Sequence, residues 1–145
     1  MTEVAFHFNA LNKWDYSCRL LRKAVGKGSR VAVVGDADAL AELDRQLWEF
    51  SATDFVPHCF AGCQDAAVLA ASPVVLFSTA SSFPHHEVLL NLGQNVAAGF
   101  ERFERLIEVV GMDDADRTQS RQRWKHYKDR GYAITRHDLG VRGGH

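Results

Sequence analysis

The chain is poor in the residues that usually announce a function. It has three cysteines and three prolines among 145 residues. Three thiols, Cys18, Cys59 and Cys63, cannot make a disulfide framework, and the odd count points to reduced cysteines. Net charge is also missing. Seventeen Lys and Arg stand against eighteen Asp and Glu, for a formal charge of −1. That balance argues against a general nucleic-acid binder, so any polyanion site has to be local. No apolar run reaches the length of a membrane span. The opening "MTEVAFHFNA" has Glu3 and an alternating pattern where a signal peptide has a basic start and a long apolar stretch. The expectation is a soluble, cytoplasmic protein.

What is present is a globular composition, 46% hydrophobic, with enough chain for one domain and a real core. "VAFHF" (4–8) alternates as a strand does. "DYSCRLLRKAV" (15–25) puts Cys18, Leu21 and Val25 on one helical face, and Gly26 and Gly28 end that helix. "RVAVV" (30–34) and "PVVLFS" (73–78) read as buried parallel strands, and "HEVLLNL" (86–92) as a further one. "DALAELDRQLWEF" (38–50) predicts a second helix with Leu40, Leu43, Leu47 and Phe50 inward. "DFVPHCFA" (54–61) is extended, and Pro57 confines it to an edge or loop. "NVAAGFERFERLIEVV" (95–110) predicts an amphipathic helix with Val96, Phe100, Phe103, Leu106 and Val110 on one face. A last helix over 113–131 starts acidic, finishes basic and meets a natural cap in Gly131. The alternation of strands and helices predicts an α/β fold: a three-layer, Rossmann-like sandwich with a mostly parallel central sheet. The expected single domain covers 1–139, followed by a frayed, Gly-rich tail over 140–145.

Several tempting motifs have bland readings. "AVGKGSR" (24–30) follows a helix and precedes a strand, the reverse of a phosphate loop. "VAVVGDADAL" (31–40) sits between strand and helix but has one glycine where a dinucleotide site uses three. No nucleotide-binding motif and no cofactor is expected. His58, Cys59 and Cys63 lack the second cluster a structural zinc site needs. Ser81, Ser82 and His85 are not set in a nucleophile elbow. No catalytic residue emerges, and the expectation is a protein that is not an enzyme.

Two stretches stand out. "LWEFSATDFVPHCF" (47–60) crowds Trp48, Phe50, Phe55 and Phe60 around a proline, a mixture of core and possible protein–protein patch. "QSRQRWKHYKDRGY" (119–132) concentrates cations and aromatics. With Arg117, the residues Arg121, Trp124, Lys125 and Lys128 follow i, i+4, i+7, i+8, i+11 spacing and share a helix face. Three readings fit that face: a solvated surface, a track for single-stranded nucleic acid, and a seat for an acidic peptide with an aromatic end.

"LWEFSATDFVPHCFAG" (47–62) and "RQRWKHYKDRGYAI" (121–134), in that order, resemble the chi subunit family of bacterial DNA polymerase III. The likeness in length and element order extends over nearly the whole chain. The resemblance implies a Rossmann-like fold without a nucleotide site and a non-enzymatic adaptor in DNA replication. Such an adaptor links the clamp-loader complex, through the psi subunit, to the acidic C-terminal tail of single-stranded DNA-binding protein, which ends in Pro-Phe. It implies that Arg117 and Arg121 take the tail's carboxylates. Trp124, where the family often has Tyr, walls the pocket for the terminal Phe, with Lys125 as a helper. Gly131 turns the chain after the helix. It also implies that Trp48, Phe55 and Pro57 receive psi, or a DNA-repair helicase at the same patch. DNA is then reached only indirectly, no membrane is involved, and the chain is a monomer or half of a heterodimer. Direct single-stranded DNA binding by the last helix remains the alternative.

Overall fold

The computed structural model describes residues 2–49, 57–60, 67, 72–77 and 85–139. Strand β1 (Glu3–Ala10) leads into helix α1 (Lys13–Gly26), β2 (Val31–Val34) and α2 (Ala37–Glu49). Then come β3 (His58–Phe60), β4 (Val74–Phe77) and β5 (Val88–Asn91). A 3-10 turn (Phe100–Arg102), β6 (Arg105–Gly111), α3 (Asp114–Asp129) and β7 (Ile134–Asp138) complete the described chain. The strands form one seven-stranded sheet in the order β3-β4-β2-β5-β6-β1-β7. Each pairing among the described residues is parallel. Helices sandwich this sheet, giving the α/β architecture expected from the alternation of elements.

The pleat divides the core in two. Val31 and Val33 of β2, Val74 and Leu76 of β4, and Ile107 and Val109 of β6 point to one side. There they meet Cys18 and Leu21 of α1 and Leu40, Leu43 and Leu47 of α2. Ala32, Val75, Leu89, Leu106 and Val110 point to the other side, against Phe100, Phe103 and Tyr127. Strands buried on both faces read as unbroken apolar runs, which is why 30–34 and 73–78 were legible. The Gly-Lys-Gly stretch is the turn between α1 and β2, with Gly28 at φ +83°. Asp36 caps α2, its Oδ1 accepting from the Ala39 amide at 2.8 Å. Edge strand β3 follows Pro57 directly, consistent with the edge or loop reading of that segment.

One element is corrected. Residues 95–110 do not form an amphipathic helix. Gly99 adopts φ +81°, the 3-10 turn follows, and Arg105–Gly111 is an interior strand. The apolar residues picked out at helical spacing are indeed inward, with Phe100, Phe103, Leu106 and Val110 all buried. The error was to take the residues between them as a wet face. Ile107, Glu108 and Val109 are buried as well, on the sheet's other side or inside a polar network. β-Branched side chains in "RLIEVV" favour the strand. A second correction is an omission, because β7 was left unread and closes the sheet beyond β1. The 140–145 tail, Phe50, Phe55, Cys63, Ser81 and Ser82 lie outside the described residues. No helix among the described residues is long and apolar enough to cross a membrane.

Candidate protein-interaction site

The site begins with how α3 is set on the sheet. Arg123 and Tyr127, one turn apart, are the buried residues of this helix. Arg123 Nε donates to Glu108 Oε1 at 2.9 Å, and Arg123 Nη1 donates to the Gln94 carbonyl at 2.9 Å. Tyr127 Oη and Asn91 Nδ2 both donate to Glu108 Oε2, at 2.5 and 3.1 Å. Burial pushes the Glu108 carboxyl up, while these donors and the guanidinium pull it down. Burial beside that carboxylate pushes the Tyr127 phenol far up as well, so it remains a donor. With these two side chains facing inward, the face about 100–160° around the helix carries Arg117, Arg121, Trp124 and Lys128.

That face borders a cavity of about 490 Å³. Arg117, Ser120, Arg121 and Trp124 line one wall. The floor and opposite wall come from the sheet edge: Phe6 and Phe8 of β1, Val110 of β6 and Arg136 of β7. Phe6 and Arg136 are register partners, so their side chains emerge on the same face. The Arg136 guanidinium carbon lies 5.3 Å from the Phe8 ring centre, and Lys128 Nζ lies 4.6 Å from that of Trp124. Cations thus lie over both aromatic walls. Asn9 joins the rim at φ +63°, where the pairing of β1 with β6 slips. Its amide is held on both sides. Arg117 Nη2 donates to Asn9 Oδ1 at 3.0 Å, and Asn9 Nδ2 donates to Asp138 Oδ1 at 2.8 Å. Arg117 is therefore partly engaged and half-buried, whereas Arg121 is exposed.

The structure brings together Arg117, Arg121 and Trp124 of the sequence-read group. Lys125 is exposed and does not line the cavity, since one further residue rotates it about 100° beyond Trp124. Gly131 sits after α3 at φ +80°, releasing the chain toward β7. Sequence reasoning missed Phe6, Phe8, Asn9, Ser120 and Arg136. Phe6 and Phe8 had a usable signal in the alternation of "VAFHF", but Arg136 was out of reach without β7.

On the opposite edge, Trp48 at the end of α2 is 63% exposed and Phe60 of β3 is 42% exposed. The Trp48 ring meets His58 edge-on, with centres 5.5 Å apart, and Asp44 Oδ1 lies 2.8 Å from His58 Nε2. Pro57 is exposed immediately before His58. Trp48, Pro57 and Phe60 are thus exposed apolar side chains at this end of the sheet, with the polar His58–Asp44 pair among them. Among the described residues no group of three or more His, Cys, Asp or Glu side chains is placed to hold a metal.

The DNA polymerase III chi subunit, HolC, family model matches residues 1–135. The chain belongs to this family. It is 32% identical over 144 residues to the DNA polymerase III subunit chi of Pseudomonas aeruginosa, covering 96% of this chain and 98% of that protein. The DNA polymerase III subunit chi of Haemophilus influenzae is 27% identical over 128 residues, with 87% of each chain covered. That of Escherichia coli is 26% identical over 119 residues, covering 81% of this chain and 79% of its own. Membership supports the general adaptor role of a chi subunit.

Proposed function

We propose that this chain is a non-catalytic accessory subunit of DNA polymerase III. It connects the acidic C-terminal tail of single-stranded DNA-binding protein, at the α3 cavity, to a psi subunit or a repair helicase at the α2–β3 edge. The observation that carries the reading is the convergence of Arg117, Arg121 and Arg136 with Trp124, Phe6 and Phe8 on one cavity. A carboxylate-bearing peptide ending in Phe needs both kinds of group. The ring enters between aromatic walls, and the C-terminal carboxylate and upstream Asp side chains take forked guanidinium donors. Arg121, exposed at the rim, takes the tail's carboxylates first. Arg117, tied to Asn9, presents a pre-set donor. Trp124 walls the ring pocket, Lys125 lies outside as a long-range helper, and Gly131 frames the end of the helix.

Trp48 and Pro57, with Phe55 by family likeness, form the second face. Large exposed apolar side chains on a helix end and an edge strand suit a partner that buries them. The two faces lie at opposite edges of the sheet, so both partners can be held at once. Direct single-stranded DNA binding makes a weaker use of this geometry. A backbone needs an extended basic track, and here the cations gather around one pocket. Titration with an acidic peptide ending in Asp-Ile-Pro-Phe, and separately with oligo-dT, tests the assignment. Tight oligo-dT binding without peptide binding overturns it.

A further inference from the structure

The α1–α2 side of the sheet is incompletely roofed. A packed helix is roughly 10 Å wide and strands lie about 4.8 Å apart, so one helix covers about two strands. Helices α1 and α2 roof the four strands β4, β2, β5 and β6. Of the other three, edge strand β3 meets the end of α2 through His58, Trp48 and Asp44, while β1 and β7 have no helix over them on this side among the described residues. Their side chains facing this lane are short or polar: Ala5 beside its register partner Thr135, and His7 beside His137. A groove of about 530 Å³ runs along this lane and on beneath the end of α1, where Val88 and Leu90 of β5 and Ile107 of β6 join its floor; Leu20 and Ala24 of α1 wall it. His7 lines it, its Nδ1 hydrogen-bonding the Tyr16 hydroxyl. The groove opens toward the start of β1, where Lys23, Lys27 and Arg105 form a cationic rim with Glu3 as its one acid.

We propose that this lane is a docking groove for an amphipathic helix of a partner protein, with an apolar stripe flanked by acidic residues. The small floor of Ala5 and Thr135 leaves room for the partner's large apolar side chains to reach the sheet. The flanking acids meet Lys23 and Lys27 along α1, while Arg105 at the open end lies 3.9 Å from Glu3 Oε2. A second copy of this chain does not supply such a helix from its described residues. The outer face of α1 carries Arg19, Arg22 and Lys23, and that of α3 is basic. Of the four acids of α2, Glu42 and Glu49 are bridged to Arg45 and Asp44 to His58, and Asp38 sits apart in the first turn, so they do not flank an apolar stripe. The groove is on the opposite sheet face from the Arg121–Trp124 cavity, so it does not depend on the tail-binding assignment.

The test uses the full chain and a synthetic helical peptide with leucines at i, i+3, i+7 and i+10 flanked by glutamates. A scrambled peptide of the same composition and a lysine-flanked version serve as controls. Binding is read by anisotropy, and its place by backbone amide shifts. The expected result is binding of the acidic amphipathic peptide alone, with shifts at residues 3–7, 20–27 and 133–137. Thr135→Trp, which fills the lane, and the pair Lys23→Glu with Lys27→Glu, which reverses the rim, each weaken it at least about tenfold. Both variants keep their affinity for the Asp-Ile-Pro-Phe tail peptide, which separates loss of this groove from loss of the other site or of the fold. Shifts confined to residues 117–124, equal binding of the scrambled peptide, or no binding overturn the proposal. A homodimer in sedimentation that Thr135→Trp dissolves also overturns it, assigning the lane to a second copy.

Discussion

Arg123 Nε reaches Glu108 Oε1 across 2.9 Å, with both side chains essentially sealed from water. This pair fixes the roll of α3 on β6, and so decides which face of the helix meets the cavity. Breaking it by Glu108→Ala leaves a guanidinium buried without its counter-ion. The expected loss is about 3–5 kcal/mol of unfolding free energy. In a domain of this size that lowers Tm by roughly 10 °C. Replacing both residues, Glu108→Leu with Arg123→Met, recovers part of the loss, because no charge is then stranded although the buried Tyr127 hydroxyl loses its acceptor. Thermal and urea unfolding of the two variants measure this. An equal loss in the double variant contradicts it.

The geometry also ranks residues that the sequence treated alike. Trp124 walls the cavity and Lys125 does not. Trp124→Ala is therefore expected to weaken the tail peptide by roughly tenfold or more, as removal of a buried aromatic anchor does. Lys125→Ala is expected to change it by less than about threefold, as for an exposed charge. Calorimetric titration of both variants distinguishes the two. Comparable losses place the peptide farther around the helix.

His7 gives the fold an acid-side weakness. Its imidazole is held well below the ordinary 6.5, at about 4, by burial first and by the neighbouring His137 second. In the folded state the ring stays neutral, while in the unfolded chain it takes a proton below about pH 6.5. Its contribution to stability is thus complete above pH 6.5 and is lost progressively as pH falls to 4. The half-buried position limits the loss to the order of 2 kcal/mol. His7→Gln is expected to flatten this part of the stability profile in urea unfolding from pH 7 to pH 4. An unchanged slope assigns the loss to other groups.

Trp48 and Phe60 are expected to matter to a partner and not to the fold. Both are substantially exposed. Trp48→Ala and Phe60→Ser are expected to shift unfolding free energy by about 0.5 kcal/mol or less, the usual size for surface changes. They are expected to abolish co-elution with a purified psi subunit on a sizing column. Retained co-elution moves that interface elsewhere.

The sheet's central strands were legible because burial on both faces leaves an unbroken apolar signature, as in "VAVV" and "VVLF". The α3 face was legible because helix spacing alone carries Arg117, Arg121 and Trp124 to one side. Strand β6 was not, because Glu108 is an acid whose burial depends on Arg123, Tyr127 and Asn91 from other elements. An acid in an apolar run reads as a solvent face until its partners are known. Arg136 was lost with β7, whose residues are largely exposed and carry no apolar pattern. Asn9 belongs to the site through a slip in pairing that no local pattern announces.

The central claim is that the α3 cavity seats an acidic, Phe-ended tail. The direct measurement is a titration of the Asp-Ile-Pro-Phe peptide against the unmodified chain and Arg121→Ala, at low and moderate salt. The account predicts a dissociation constant on the order of micromolar, about −8 kcal/mol. Affinity falls as salt rises, because exposed charge pairs carry much of it. Loss of the Arg121 fork weakens it by roughly ten- to a hundredfold. An Arg121→Ala chain that binds the peptide as tightly as the unmodified one contradicts the account.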